Sequence, residues 1–81
     1  MPSELTLIGR PGCHLCDDAR EIVTSVAAAF PTLVVTERSI DDDAELRAKY
    51  ADEIPVVLIN GRMHAYWRVD PDRLRSALEL G

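Results

Sequence analysis

The chain has 81 residues, enough for one small domain, and we expect a single domain over residues 1–81. Its formal net charge is −5, from 14 acidic and 9 basic residues, and the basic residues are scattered along the sequence. Nucleic-acid binding needs a basic face, so we expect no nucleic-acid partner. The first residues lack the features of a secretory signal, and no apolar stretch is long enough to span a membrane. We therefore expect a cytoplasmic protein with no membrane partner.

The first half of the chain predicts two strands separated by a helix. Residues 4–8 are rich in leucine and β-branched residues, which indicates a strand, and Gly9-Arg10-Pro11-Gly12 ends it. From Cys13 onward, apolar residues recur every three or four positions, the spacing of one helix face, until Pro31 stops the helix. Residues 33–39 predict a second strand, and its polar second half is typical of a sheet edge.

The next segment predicts a short helix followed by a β-hairpin. Asp42 is the expected N-cap of this helix, with Glu45 three residues later as its capping-box partner. Residues 56–59 are uniformly apolar, which indicates a central strand. Asn60-Gly61 is the strongest short hairpin signal, so residues 62–67 should return antiparallel to that strand.

The last helix is predicted to begin at Pro71, with Asp70 as its N-cap and with Val69 and Leu74 joined as a hydrophobic staple. The full order is then strand, helix, strand, helix, strand, strand, helix. The first two strands are joined by a crossover helix and should be parallel, whereas the hairpin strands are antiparallel. The sequence therefore predicts an α/β fold, with a four-stranded mixed sheet and helices on both faces.

The chemistry of the chain centres on Cys13 and Cys16, which stand where the first strand gives way to the first helix. A disulfide across so short a loop constrains the unfolded chain very little, so we expect a chemical rather than a structural role. The start of a helix offers unpaired N–H groups and a positive dipole end, which favour a thiolate at Cys13. Cys16 lies one turn along, toward the buried side. We expect Cys13 to attack a substrate disulfide and Cys16 to resolve the mixed disulfide.

Two other functions stay open. Cys13, His14 and Cys16 are all competent metal ligands, and His64 is the only other histidine, so a metal or iron–sulfur cluster would have to be shared between two chains. A redox-sensing interaction domain with little turnover is the third possibility. His14 itself either acts as a cation that stabilises the neighbouring thiolate or only fills a variable exposed position.

Three segments carry a family resemblance: GRPGCHLC at residues 9–16, EIPVVLING at residues 53–61, and Asp70-Pro71-Asp72 at the start of the last helix. Together they resemble the glutaredoxin-like branch of the thioredoxin superfamily. The resemblance implies a thioredoxin-like (glutaredoxin-type) βαβαββα fold and a monomeric dithiol oxidoreductase that reduces protein or glutathione mixed disulfides. It implies no tightly bound cofactor, glutathione as a candidate co-substrate, and either glutathione or a thioredoxin-reductase-type flavoprotein as the reductant.

The resemblance also implies roles for residues around the cysteines. Pro55 should follow a cis peptide bond and face the pair, and the exposed backbone of Ile54 should pair with an extended substrate. Pro11 and His14 border the same site. Arg10, just ahead of the motif, either contacts a glutathione carboxylate or stays in solvent.

The resemblance fails over residues 64–70, which read HAYWRVD. The Gly-Gly and acidic residues that hold the γ-glutamyl end in glutaredoxins are absent there. The Trp-Ser-Gly-Phe-Arg-Pro signature of redoxins that serve ribonucleotide reductase is also absent. We expect one of Tyr66 and Trp67 to lie in the core and the other near the substrate groove.

Overall fold

The computed structural model describes residues 4–80, so any expectation about residues 1–3 and 81, including the lack of an N-terminal signal, lies outside the described residues. The described chain forms seven elements, which are β1 (Glu4–Gly9), α1 (His14–Ala27), β2 (Val34–Ser39), α2 (Ala44–Tyr50), β3 (Val56–Ile59), β4 (Arg62–Tyr66) and α3 (Pro71–Leu80). No helix within residues 4–80 is long and apolar enough to cross a membrane.

The four strands form one sheet in the order β2-β1-β3-β4. Strand β1 is parallel to β2 and antiparallel to β3, and the β3–β4 hairpin is antiparallel with an irregularity between Val57 and Leu58. The predicted mixed sheet is confirmed. The prediction that the second strand lies at an edge is also confirmed, and five of its six residues are exposed.

Two apolar clusters cover the two faces of the sheet. Helices α1 and α3 pack on one face through a cluster of nine buried residues, which are Leu5, Leu7, Ala19, Val23, Val26, Val57, Val69, Leu74 and Leu78. The short helix α2 packs on the other face, where Tyr50 joins Ile8, Ile40 and Val56. Neighbouring strand residues contribute to opposite clusters because successive side chains on a strand point to opposite faces. Each fully buried aliphatic side chain contributes about 1.5–3 kcal/mol, so these clusters fix how the helices sit on the sheet.

Helix α1 begins one residue later and ends earlier than its apolar pattern predicts. Cys13 is extended and serves as the N-cap, and the helix starts at His14. At the other end, the N–H of Ala28 donates to the carbonyl of Thr24, and the N–H of Ala29 donates to the carbonyl of Val26, three residues earlier. Such tightening is typical of a last helical turn, and it ends α1 at Ala27 before Pro31 is reached.

The predicted N-cap of α2 is wrong. Asp43, not Asp42, caps this helix, and its side chain accepts the N–H groups of Glu45 at 2.9 Å and Leu46 at 3.3 Å. Asp42 lies instead in the preceding turn, where its N–H donates to the carbonyl of Ser39. Because that turn fixes Asp42, the next aspartate takes the capping position.

The predicted N-cap of α3 is confirmed. The Asp70 carboxylate accepts the N–H groups of Asp72 at 2.9 Å and Arg73 at 3.3 Å, and Pro71 is the first helical residue. Val69 and Leu74 are both buried in the same apolar cluster, as the staple requires.

Candidate active site

The two cysteines lie at the start of α1, directly after the end of β1. Both are reduced, Cys13 is half-buried and Cys16 is buried. As the N-cap, Cys13 presents its sulfur to the first turn, and the backbone N–H of Cys16 donates to Cys13 Sγ at 3.2 Å. A cap of this kind satisfies one otherwise unpaired helix N–H, and the same geometry stabilises negative charge on the sulfur. The outer sulfur can therefore act as a nucleophile.

Cys16 lies behind Cys13, against the backbone of Gly9. Its side chain is only 2% exposed. A Cβ atom at Gly9 would lie 2.9 Å from Cys16 Sγ, so only glycine permits this approach. Burial and, to a lesser extent, the hydrogen bond with Cys13 raise the pKa of Cys16 to about 11, against the lowering effect of a hydrogen bond with the Arg10 backbone. Cys16 is therefore a neutral thiol near pH 7.

Sequence reasoning did not single out Gly9 as a site residue. The sequence places Gly9 in the segment that ends the first strand and in the GRPGCHLC motif, without a role of its own. The signal that was available is its place as the last strand residue before the cysteine motif, since a strand glycine often marks a close approach of another group.

The loop before β3 lies at the same end of the sheet as the cysteine motif, because Ile8 near the end of β1 pairs with Val56 at the start of β3. The Ile54–Pro55 peptide bond is cis, Pro55 is buried and Ile54 is half-buried. Within residues 4–80, the backbone N–H and C=O of Ile54 take part in no hydrogen bond. This backbone is therefore available to a partner.

Trp67 is tied to that same loop. Its backbone N–H donates to the carbonyls of Pro55 at 2.9 Å and Glu53 at 3.2 Å, and its indole Nε1–H donates to the carbonyl of Asp52 at 2.9 Å. The residue has φ +64, a left-handed conformation that costs about 1–2 kcal/mol for a side chain of this size. The hydrogen bonds hold it there, and β4 consequently ends at Tyr66 rather than at Trp67.

The expectation that one of Tyr66 and Trp67 lies in the core is wrong. Tyr66 is 48% exposed and Trp67 is 54% exposed, and their rings meet edge to face at 5.1 Å. Strand β4 has no buried residue, and Trp67 turns left-handed directly after it. Both aromatic rings remain at the surface.

An apolar cavity of about 300 Å³, which we call the groove, runs from the cysteine motif along α1 to the segment after β4. Its lining residues are Leu15, Asp18, Ala19, Ile22, Trp67, Arg68 and Val69. Leu15 stands between the two cysteines in sequence and is 45% exposed. Sequence reasoning missed the groove, although the exposed end of the apolar stripe on α1 was its available signal.

The remaining predicted site residues lie around the motif. Pro11 and His14 are exposed, and His14 is the first residue of α1. The guanidinium of Arg10 lies 3.7 Å from the carboxylate of Asp41, with both side chains about half exposed. Arg10 is therefore a surface arginine with a weak acidic partner. His64 lies apart from the motif, on β4. Within residues 4–80, no three His, Cys, Asp or Glu side chains come together as a metal site.

Comparison with known proteins gives one family. The family described as "Glutaredoxin-like domain (DUF836)" matches residues 4–79. A glutaredoxin-like protein of Dictyostelium discoideum is 39% identical over 75 residues, which cover 86% of this chain and 69% of that protein.

Solved structures agree with this assignment. A structural genomics target protein from X. campestris has a TM-score of 0.76 and 37% identity, and the match covers 95% of this chain and 97% of that one. Mitochondrial thioredoxin 3 from Saccharomyces cerevisiae has a TM-score of 0.72 at 12% identity, covering 96% of this chain and 77% of that one, and it supports the fold alone. The chain therefore has a thioredoxin-like fold and belongs to the glutaredoxin-like domain family (DUF836) of the thioredoxin superfamily.

Proposed function

We propose that the protein is a thiol–disulfide oxidoreductase in which Cys13 is the nucleophile and Cys16 the resolving thiol. The observation that carries this proposal is the pairing of an accessible sulfur with a buried one across the first turn of α1. The N–H of Cys16 donates to Cys13 Sγ at 3.2 Å, and Cys16 itself is 2% exposed. An outer thiol reaches substrate first, and an inner thiol within one helical turn can then attack it.

The reaction transfers two electrons from the dithiol to the substrate. The Cys13 thiolate attacks one sulfur of a substrate disulfide, forms a mixed disulfide and releases the other sulfur as a thiolate. Cys16 then attacks Cys13 Sγ, its proton passes to the leaving sulfur, and the products are the Cys13–Cys16 disulfide and a second substrate thiol. Two glutathione molecules, or a thioredoxin-reductase-type flavoprotein, return the disulfide to the dithiol.

The raised pKa of Cys16 fits this order of events. With a pKa of about 11, Cys16 stays protonated while Cys13 attacks, so the two sulfurs do not repel each other as two thiolates. Cys13 contributes to this raised pKa through a hydrogen bond and through its charge. Both contributions change once Cys13 is held in a mixed disulfide. Cys16 can then lose its proton to the leaving group.

Substrate binding is proposed at the edges of the cysteine pair. The free backbone of Ile54, beside buried Pro55, can pair with an extended substrate segment while its sulfur meets Cys13. Pro11 and His14 are exposed next to Cys13 and border the same surface. Arg10 reaches a substrate carboxylate only if it leaves Asp41, and that is an inexpensive change for an exposed ion pair. We propose that the protein works as a cytoplasmic monomer with protein disulfides as substrates.

A trapping experiment tests this function. Cys16→Ser cannot resolve a mixed disulfide, so after exposure to oxidised cell extract it should retain disulfide-linked partners on Cys13 that a reductant releases. Cys13→Ser is the matched control and should trap none. Equal trapping by both variants, or by neither, would contradict the assignment.

Two further measurements separate the other functions. Metal analysis and a visible spectrum of the purified protein test for a cluster shared between two chains, and a bound metal would favour that role. Multiple-turnover reduction of hydroxyethyl disulfide tests for catalysis. A single oxidation without turnover would favour a redox sensor.

A further inference from the structure

We propose that the groove receives an apolar side chain of a protein substrate, next to the substrate cysteine, while Arg68 and Arg73 contact an acidic residue of the same substrate. The substrate class is therefore a protein disulfide flanked by apolar and acidic residues. This inference rests on the proposed function and deepens it, because it names what the oxidoreductase selects.

The groove is suited to one apolar side chain. It begins at Leu15, inside the cysteine motif, and continues over Ala19, Ile22 and Val69. Its volume of about 300 Å³ is at the small end of ligand cavities and leaves room for an apolar side chain. Leu15 is 45% exposed, so apolar surface beside Cys13 stays uncovered in the free protein.

Trp67 forms a rigid wall of this groove. Its indole N–H is bonded to the carbonyl of Asp52, and its backbone N–H is bonded to the carbonyls of Glu53 and Pro55. These bonds hold an aromatic ring half exposed in a left-handed backbone conformation, which core packing does not require. A ring that is already fixed loses little conformational freedom on binding, and such aromatic residues dominate many interfaces.

A cationic surface lies on the other side of Trp67. A neighbouring cavity of about 400 Å³ shares Trp67 and Arg68 with the groove, and its lining adds Arg73 and His64 but no carboxylate, so in the described part of the chain Asp18 of the groove is the one carboxylate that lines either cavity. Within residues 4–80, neither Arg68 nor Arg73 has an ion-pair partner. In a protein of net charge −5, this local excess of positive charge favours an acidic segment of the partner.

Glutathione fits these features less well than a protein does. Its γ-glutamyl, cysteinyl and glycyl units include no apolar side chain, so it would leave the groove empty. A protein segment can place an apolar side chain in the groove and a carboxylate near Arg68 at the same time. The selectivity should therefore favour disulfides that carry a protein segment over oxidised glutathione, which carries none.

The test uses the reduced full-length protein and synthetic peptides in which one cysteine is disulfide-linked to 2-mercaptoethanol. One neighbour of the cysteine is Leu or Ser, and the other neighbour is Glu or Lys. Each combination is made in both orders, with the Leu or Ser either before or after the cysteine. The second-order rate constant for release of the small thiol is measured by rapid quenching. We expect at least about a tenfold preference for Leu over Ser in one of the two orders, the effect of one well-placed interface side chain.

Trp67→Asn is the variant that removes the ring and keeps the backbone, because asparagine tolerates the left-handed conformation. It should lose the preference for Leu over Ser, measured as a ratio of rate constants within this one variant, while it still reduces hydroxyethyl disulfide, which shows that it folds. A wild-type protein that does not discriminate Leu from Ser, or a Trp67→Asn variant that still does, overturns the groove assignment.

Arg68→Glu tests the acidic contact, with Arg75→Glu as its matched control. Arg75 is exposed on α3 and lines neither cavity, and Arg75→Glu changes the net charge by the same amount as Arg68→Glu. Arg68→Glu should reverse a preference for Glu over Lys, and Arg75→Glu should leave it in place; equal effects would overturn the acidic contact.

If hydroxyethyl disulfide is reduced but no peptide is preferred, this inference fails and the proposed function stands. If no disulfide is reduced, the proposed function fails and takes the inference with it.

Discussion

Gly9 and Cys16 are in direct contact across the end of β1 and the first turn of α1, and the glycine leaves the space that the sulfur occupies. A Cβ atom at position 9 would lie 2.9 Å from Cys16 Sγ and 3.1 Å from Cys16 Cβ. The residue that positions the inner sulfur is thus a strand residue with no side chain. This contact links the packing of the sheet to the chemistry of the site.

The first prediction follows from this contact. Gly9→Ala should lower the free energy of unfolding by about 1–3 kcal/mol, the usual cost of overpacking a filled interior. It should also slow resolution of the mixed disulfide, because Cys16 must move. Chemical denaturation of the reduced protein measures the first effect. In a Cys16→Ala background the sulfur is gone, so Gly9→Ala should lower the free energy of unfolding by less. An equal loss of stability in both backgrounds would show that the contact with the sulfur is not its cause.

The second prediction concerns pH. Burial raises the pKa of Cys16 in the folded protein to about 11, whereas the unfolded thiol has its ordinary value of 9.0. Between these two values the unfolded chain releases a proton that the folded chain keeps, so the free energy of unfolding should fall as pH rises. The slope should approach about 1.4 kcal/mol per pH unit at most, and there should be no such effect below pH 9.

To check this prediction, the free energy of unfolding of the reduced wild type and of Cys16→Ala is measured by urea denaturation at several values between about pH 8 and pH 11. Other groups titrate in this range in both proteins, so only the difference between them reports on Cys16. Parallel stability curves for the two proteins would mean that the thiol is not protected by burial.

The order of the elements was predictable because its signals are local. The cysteine motif at a helix start, the Asn60-Gly61 hairpin and the cap at Asp70 each depend on a few adjacent residues. The exposure of Trp67 was not predictable, because it depends on carbonyl groups of Glu53 and Pro55 that lie more than ten positions away. Local alternation gave no sign that the strand would end one residue early.

The identity of the α2 cap was unpredictable for a different reason. Three adjacent aspartates all satisfy the capping rule, and the choice among them is made by the turn that ties Asp42 to Ser39. The groove was missed because it forms between α1 and a segment some fifty residues later, which only the packing of α3 beside α1 brings together.

The third prediction tests that cap. Asp43→Ala should lower the free energy of unfolding by about 1 kcal/mol, since it removes the acceptor for the N–H groups of Glu45 and Leu46. Asp42→Ala, at the neighbouring position, should have little effect. Asp43 also pairs with Arg38 at 3.1 Å, so Asp43→Asn is the informative variant, as it caps equally well without the charge. If Asp43→Asn were as unstable as Asp43→Ala, the ion pair rather than the cap would be responsible.

The fourth prediction concerns His64, which is half-buried on β4. Burial lowers the pKa of His64 below its ordinary value of 6.5, and the charge of Arg73 lowers it further. The unfolded chain therefore takes up a proton that the folded chain resists, and the free energy of unfolding should fall as pH drops below about 6.5. Proton NMR titration of the His64 ring measures the pKa directly. Arg73→Gln should raise this pKa without restoring it fully, since burial remains, and Arg75→Gln should leave it unchanged. Equal shifts from the two arginine variants would indicate a general effect of net charge instead of a specific effect of the Arg73 charge.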